Sequence, residues 1–197
     1  MTETATETTG APKPRAAETA ARRRRLLDAA AALATEGGYD AVQMRDVAAR
    51  AGVALGTLYR QFSSKDQLLL ACLAAQAATL QEQLAKHPPA GTPSSRLADV
   101  LRQASGAIAR DRRLSEAMVT ALSSPDPAAA PAKQEIYDLL VAIIAEAAGD
   151  GAGRDLDAVA RVVGYVWFSA LEFWVAGLID GDEMASELAE AARLLLD

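Results

Sequence analysis

The sequence is poor in the residues that carry covalent, redox and metal chemistry. It has one cysteine, Cys72, and one histidine, His87, in 197 residues. A single cysteine excludes an internal disulfide, so nothing in the chain requires an oxidising compartment. No Cys, His and acid cluster has metal-ligand spacing, and there is neither a nucleophile elbow nor a glycine loop placed to cradle phosphate. His87 stands in a proline-rich break and reads as a solvated loop residue. Cys72, at helical core spacing, reads as a small buried hydrophobe. Asp155 and Asp157 sit beside a helix start, where capping accounts for them. An enzyme is not expected, and neither a metal nor a cofactor is implied.

Strand signals are missing too. Val, Ile and Thr are sparse, alanine is abundant, and no segment alternates polar and apolar over strand length, which argues for an all-α protein. No run reaches the roughly 18 uninterrupted apolar residues of a membrane span, so no membrane partner is expected. The segment "RRRRLLDAAAALA" (22–34) has the look of a twin-arginine export signal, but Asp28 breaks its short apolar run and no cleavage site follows. The expected location is cytoplasmic.

Charge is unevenly spread. The net −6 divides into −2 over residues 1–12, +5 over residues 13–65 and −9 over residues 66–197. Such asymmetry fits a front third that faces a polyanion, or alternatively an ordinary solvated surface. Residues 1–17, without a large apolar side chain, are expected to form a disordered arm. Beyond it the periodicity predicts about nine helices, over roughly 18–36, 44–51, 55–61, 64–86, 94–110, 114–122, 132–148, 156–178 and 183–196. Gly37-Gly38, Gly52, "HPPAGTP" (87–93), "SSPDPAAAP" (123–131) and "GDGAG" (149–153) are the stops.

The second and third helices, joined by a tight glycine turn, have the spacing of a helix-turn-helix. Val47 and Ala48 are expected to pack on Leu58 and Phe62, with Val53 plugging the angle and Gly52 supplying a positive φ. Leu55, Gly56, Thr57, Tyr59, Arg60 and Gln61 then face outward, where a recognition helix meets base edges and phosphates. Gly56 removes a side chain where DNA backbone would approach. The plainer alternatives are a half-buried aromatic for Tyr59, a local cap for Thr57 and a solvated face for Arg50. Arg22 to Arg25 could enter a minor groove, line the backbone, or cap a solvated helix end.

The run "AVQMRDVAARAGVALGTLYRQFSSKDQLLLACL" (41–73) resembles the DNA-binding domain of the TetR family of bacterial transcriptional repressors. By that resemblance Arg45, Thr57, Tyr59 and Lys65 fall where the family touches DNA, and Gly56 where it keeps a glycine. Lys65 would add its charge to the amides at the start of the fourth helix. Gln43 departs from the family pattern, which has Thr capping the second helix. It serves either as a poor cap or as an extra DNA contact. The DNA-binding domain is thus placed at 18–65, with an effector-binding and dimerisation domain at 66–197.

The rear of the chain matches the family as a plan. "RVVGYVWFSALEFWVAGLI" (161–179) is apolar nearly all round, so it must sit between its own core and a second partner. With "MASELAEAARLLL" (184–196) it would form a four-helix interface in a homodimer. The alternative is a monomeric core filled by the same aromatics. Candidate effector-lining residues are Leu101, Ser105, Met118, Leu122, Tyr137, Leu140, Ile144, Trp167, Leu171 and Trp174, a set that suits a hydrophobic ligand. The runs "GGYDAVQMRDVAARA", "VALGTLYRQFSSK" and "LSEAMVTAL" are similar to the KstR-type repressors of ketosteroid catabolism in actinobacteria. That likeness implies a steroid-derived or fatty acyl-CoA thioester as effector. The partners implied are a pseudo-palindromic double-stranded operator, that small molecule and a second copy of the chain. The rival readings are a constitutive or architectural helical DNA binder without effector, and a helical interaction protein that binds no DNA.

Overall fold

In the computed structural model, which describes residues 14–149, 153 and 155–197, the chain forms helices α1 (Pro14–Ala41), α2 (Met44–Ala51), α3 (Leu55–Tyr59), α4 (Lys65–Lys86), α5 (Pro93–Ala109), α6 (Arg112–Ser123), α7 (Ala130–Ala148), α8 (Leu156–Val175) and α9 (Gly181–Leu196). A single 3-10 turn, Pro127–Ala129, precedes α7, and the described residues contain no strand.

Caps set most of these limits. Ser64, Thr92, Asp111, Asp155 and Asp180 each accept a backbone N–H in the first turn of the following helix. Asp180 and Glu183 complete a reciprocal capping box at α9. The expected arm needs a correction, because residues 14–17 already belong to α1, while residues 1–13 lie outside the described residues. Alanine and arginine favour the helix strongly enough to carry it back to Pro14, whose fixed φ suits a first helical position. Gly37-Gly38 breaks α1 as expected, with Gly38 at φ 70° and ψ −161°.

Two apolar clusters organise the bundle. The front one joins Leu26, Ala30 and Ala34 of α1 to Val47 and Ala48 of α2, and to Leu58, Phe62 and Leu68 to Leu70. It also takes in Leu114, Ala117, Met118 and Ala121 of α6. The expected boundary after Lys65 therefore falls inside a core and not between two. The rear cluster is built on Leu97, Leu101, Ile144, Val163, Trp174, Met184 and Leu188. Each fully buried leucine contributes about 1.5–3 kcal/mol of transfer free energy. Among the described residues α8 is the one helix long and apolar enough by length and composition to cross a membrane. Its apolar run is interrupted by Asp157, Arg161 and Glu172, and it packs against α7 and α9.

Candidate nucleic-acid interface and ligand cavity

The candidate DNA-facing surface is positioned by one turn. Gly52 closes α2 at φ 66°, ψ 39°, and its N–H reaches the carbonyls of Ala48 and Ala49. Val53 N–H also bonds Ala48 O, at 3.0 Å, which fixes the angle at which α3 leaves. Val47, Ala48, Leu58 and Phe62 are buried together beneath that angle. Gln43 stands at the N-cap of α2 without capping it; its amide donates back to Asp40 O at 2.8 Å.

Above this base the outward side chains are available. Leu55 is exposed, Tyr59 is half exposed, and Arg45 keeps 87% of its side chain in solvent. Arg60 is exposed and donates to Thr57 Oγ1 at 2.8 Å, so the two present one polar face. A Cβ on Gly56 would meet nothing in the protein nearer than Arg60 NH1 at 4.0 Å. The protein's own packing therefore gives no reason for a glycine there.

Lys65 is partly engaged. Its Nζ lies 3.6 Å from the centre of the Tyr39 ring and donates to Tyr39 O at 3.1 Å. The Tyr39 hydroxyl in turn bonds Asp66, which also accepts from Ser124 Oγ at 2.5 Å. Burial, then the bond to Asp66 and the nearby acids, push the Tyr39 pKa up to about 12. Of the arginine run, Arg23 stacks 5.0 Å from the Phe62 ring centre and Arg25 donates to Ala51 O at 3.2 Å. These two brace α1 against the helix-turn-helix. Arg50 pairs with Glu36 at 2.8 Å.

Behind this surface lies a cavity of about 140 Å³, walled by α4, α5, α6, α7 and α8. Four of the sequence candidates line it, namely Leu122, Leu140, Trp167 and Leu171. The others sit elsewhere: Leu101, Ile144 and Trp174 in the rear core, Met118 in the front core, Ser105 fully buried on α5, and Tyr137 at 36% exposure. Helical spacing identifies a buried stripe but not which stripe borders a void. The residues the sequence reading missed include a whole wall on α4, formed by Leu73, Gln76, Ala77 and Leu80. Their spacing of three and four is a legible stripe. Ala104, Ala107, Ile108, Ile136, Ile143, Gly164 and Phe168 complete the lining.

The profile of the bacterial regulatory proteins, tetR family, matches residues 26–72, and that of the tetracyclin repressor-like C-terminal domain matches residues 91–195. The chain belongs to the TetR family. It is a DNA-binding transcriptional repressor of that family. The HTH-type transcriptional repressor KstR of Rhodococcus jostii is 42% identical over 176 residues, covering 89% of this chain and 82% of that protein. A TetR transcriptional regulator from Rhodococcus sp. RHA1 superposes with TM-score 0.83 at 34% identity, over 91% of this chain and 97% of the other. Thermus thermophilus FadR, a TetR-family repressor solved in complex with lauroyl-CoA, superposes with TM-score 0.67 at 26% identity, over 88% and 93% of the two chains.

Proposed function

We propose that this repressor works as a homodimer, placing α3 of each protomer in successive major grooves of a pseudo-palindromic operator, and that a hydrophobic effector entering the cavity loosens that grip. Half-sites read this way lie about 34 Å apart. Arg45, Leu55, Gly56, Thr57, Tyr59, Arg60 and Lys65 form the DNA-facing surface. The location that follows from a chromosomal target is cytoplasmic.

The observation that carries this reading is that α4 belongs to both sites. Its first residue, Lys65, stands at the edge of the DNA-facing surface, and Leu73, Ala77 and Leu80 of the same helix wall the cavity. A ligand that displaces this wall therefore moves the base of the helix-turn-helix, by no more than its preference for one state allows. The dimer face is supplied by apolar side chains that α8, α9 and their junction leave exposed: Val162, Tyr165, Phe173, Leu178 and Leu194. The effector class is supported by the likeness to KstR and to a FadR holding lauroyl-CoA. The cavity alone is smaller than such a molecule; its lining residues Gln76, Ala107 and Phe168 are exposed and open it to the outside.

The test is a salt titration of binding to the intergenic DNA beside the protein's own gene. Wild type binds at nanomolar concentration with affinity falling steeply in salt, Tyr59→Ala does not, and steroid-derived or fatty acyl-CoA thioesters release the complex. A folded dimer that binds no DNA fragment selected from a random pool contradicts the reading.

A further inference from the structure

The cavity is almost wholly apolar. Only two of its lining side chains, Gln76 and Trp167, carry a polar atom, and Gln76 is exposed to water at the mouth. Trp167 Nε1 is different: it is buried and has no hydrogen-bond partner. An indole N–H can only donate, and a buried donor without an acceptor carries its full desolvation penalty. Such groups are rare in folded proteins. Among the described residues there is one other buried polar side-chain atom without a partner, Ser105 Oγ of α5, which does not line the cavity. The unsatisfied group that does line the void is Trp167 Nε1, and it points to a bound molecule.

Resting on the reading of this cavity as the effector site, we infer that the buried part of the effector carries a hydrogen-bond acceptor within an apolar body, a ring or chain carbonyl, and that the N–H of Trp167 reads it. The terminal torsion of an aromatic side chain is soft, so a small turn of the indole presents the N–H to the ligand. Among the described residues no charged side chain lines the cavity, so the buried portion is neutral. An oxygen that only accepts pairs Trp167 and leaves nothing of its own unpaired. A hydroxyl would bring a second donor into an apolar wall. A saturated hydrocarbon tail fills the volume and leaves Trp167 unsatisfied.

The test compares cyclohexanone with methylenecyclohexane, which share size and shape and differ in C=O against C=CH2. Both are of the size an engineered cavity of about 150 Å³ accepts. The full-length protein has two tryptophans, hence two indole ¹⁵N–¹H resonances, assigned with Trp167→Phe. The ketone moves the Trp167 resonance downfield and the alkene does not. In Trp167→Phe the ketone-to-alkene affinity ratio falls about tenfold, as the loss of one hydrogen bond predicts. Equal binding of the two probes with the ratio unchanged by the substitution overturns the role of Trp167 and leaves the cavity as a ligand site. Binding of neither probe overturns both.

Discussion

Arg112 and Trp174 meet twice across the junction of α6 and α8. The guanidinium lies 5.1 Å from the Trp174 ring centre, and its NH2 donates to Trp174 O at 3.2 Å. The same NH2 reaches Val175 O at 3.0 Å, so a cation sits on the carbonyl end of α8, where the helix dipole favours it. On either side, Asp111 accepts from Thr35 Oγ1, and Arg113 NH1 donates to Glu36 O at 2.7 Å. Three consecutive residues thus tie α1 of the DNA-binding half to α8, whose Trp167 and Leu171 line the cavity.

Cutting that tie should separate binding from response. Arg112→Met is expected to leave operator affinity and effector affinity within about twofold, while the effector's influence on operator binding drops at least about threefold, within the usual range of coupling energies. Operator titrations with and without saturating effector measure it. Unchanged release would show that α4 carries the coupling alone.

Gly56→Ala should move stability and DNA binding in opposite directions. A glycine inside a helix costs roughly 0.5–1 kcal/mol relative to alanine, and the new Cβ meets nothing nearer than Arg60 NH1 at 4.0 Å. Melting temperature is therefore expected to hold or rise by a degree or two, while operator affinity falls. An affinity equal to wild type would remove the argument that DNA backbone explains this glycine.

Tyr39 makes the fold sensitive to alkali. Its pKa is raised from 10.0 to about 12, chiefly by burial and then by the bond to Asp66. A raised pKa means that the folded state favours the protonated phenol. The stability this contributes is whole below pH 10 and is lost as pH climbs from 10 towards 12. The thiol of Cys72, pushed up by burial from 9.0 to about 12, acts in the same sense from a lower starting pH. Denaturation midpoints across this range should fall less in Tyr39→Phe than in wild type, with Cys72→Ala separating the thiol's share.

Arg96 closes the C-terminal end of α7 from a neighbouring helix. Its Nε donates to Ala147 O at 2.7 Å, its NH2 to Ala148 O and its NH1 to Gly91 O at 2.7 Å. Arg96→Ala strands these carbonyls and should cost about 1.5–3 kcal/mol, the range for a charged hydrogen bond. Urea denaturation would read it. A loss under about 0.5 kcal/mol would mean that water replaces the guanidinium freely.

The proposed dimer face can be tested by a single substitution. Phe173 is 51% exposed on α8. Phe173→Asp should leave the helical signal intact and give a monomer by light scattering, with operator affinity reduced at least about a hundredfold because one recognition helix then binds alone. A variant that remains dimeric would place the interface elsewhere.

Local chemistry explains why so much was legible in the residues. Gly52 had to take a positive φ, Ser64 had to cap, Gly37-Gly38 had to stop α1, and each follows from backbone preferences that act over a few residues. The surface of α3 was equally legible, since Leu58 and Phe62 face inward at helical spacing and leave Leu55, Gly56, Thr57, Tyr59 and Arg60 outside. Periodicity tells buried from exposed; it does not tell one neighbour from another. Met118 and Trp174 are as apolar and as buried as any cavity residue, yet one packs in the front core and the other in the rear. Trp167 borders a void because α4, α5, α7 and α8 fail to close on one another there, a property of how whole helices cross. Lys65 reads in sequence as a charge added to the amides at the start of α4, and only the fold lays it on the ring of Tyr39, 26 residues away. Backbone preference and periodicity set the helices, their stops and the outward face of α3. The tertiary structure alone decided where the cavity lies, which donor it leaves unpaired and which residues join it to the DNA-binding half, because those depend on contacts between segments remote in the chain.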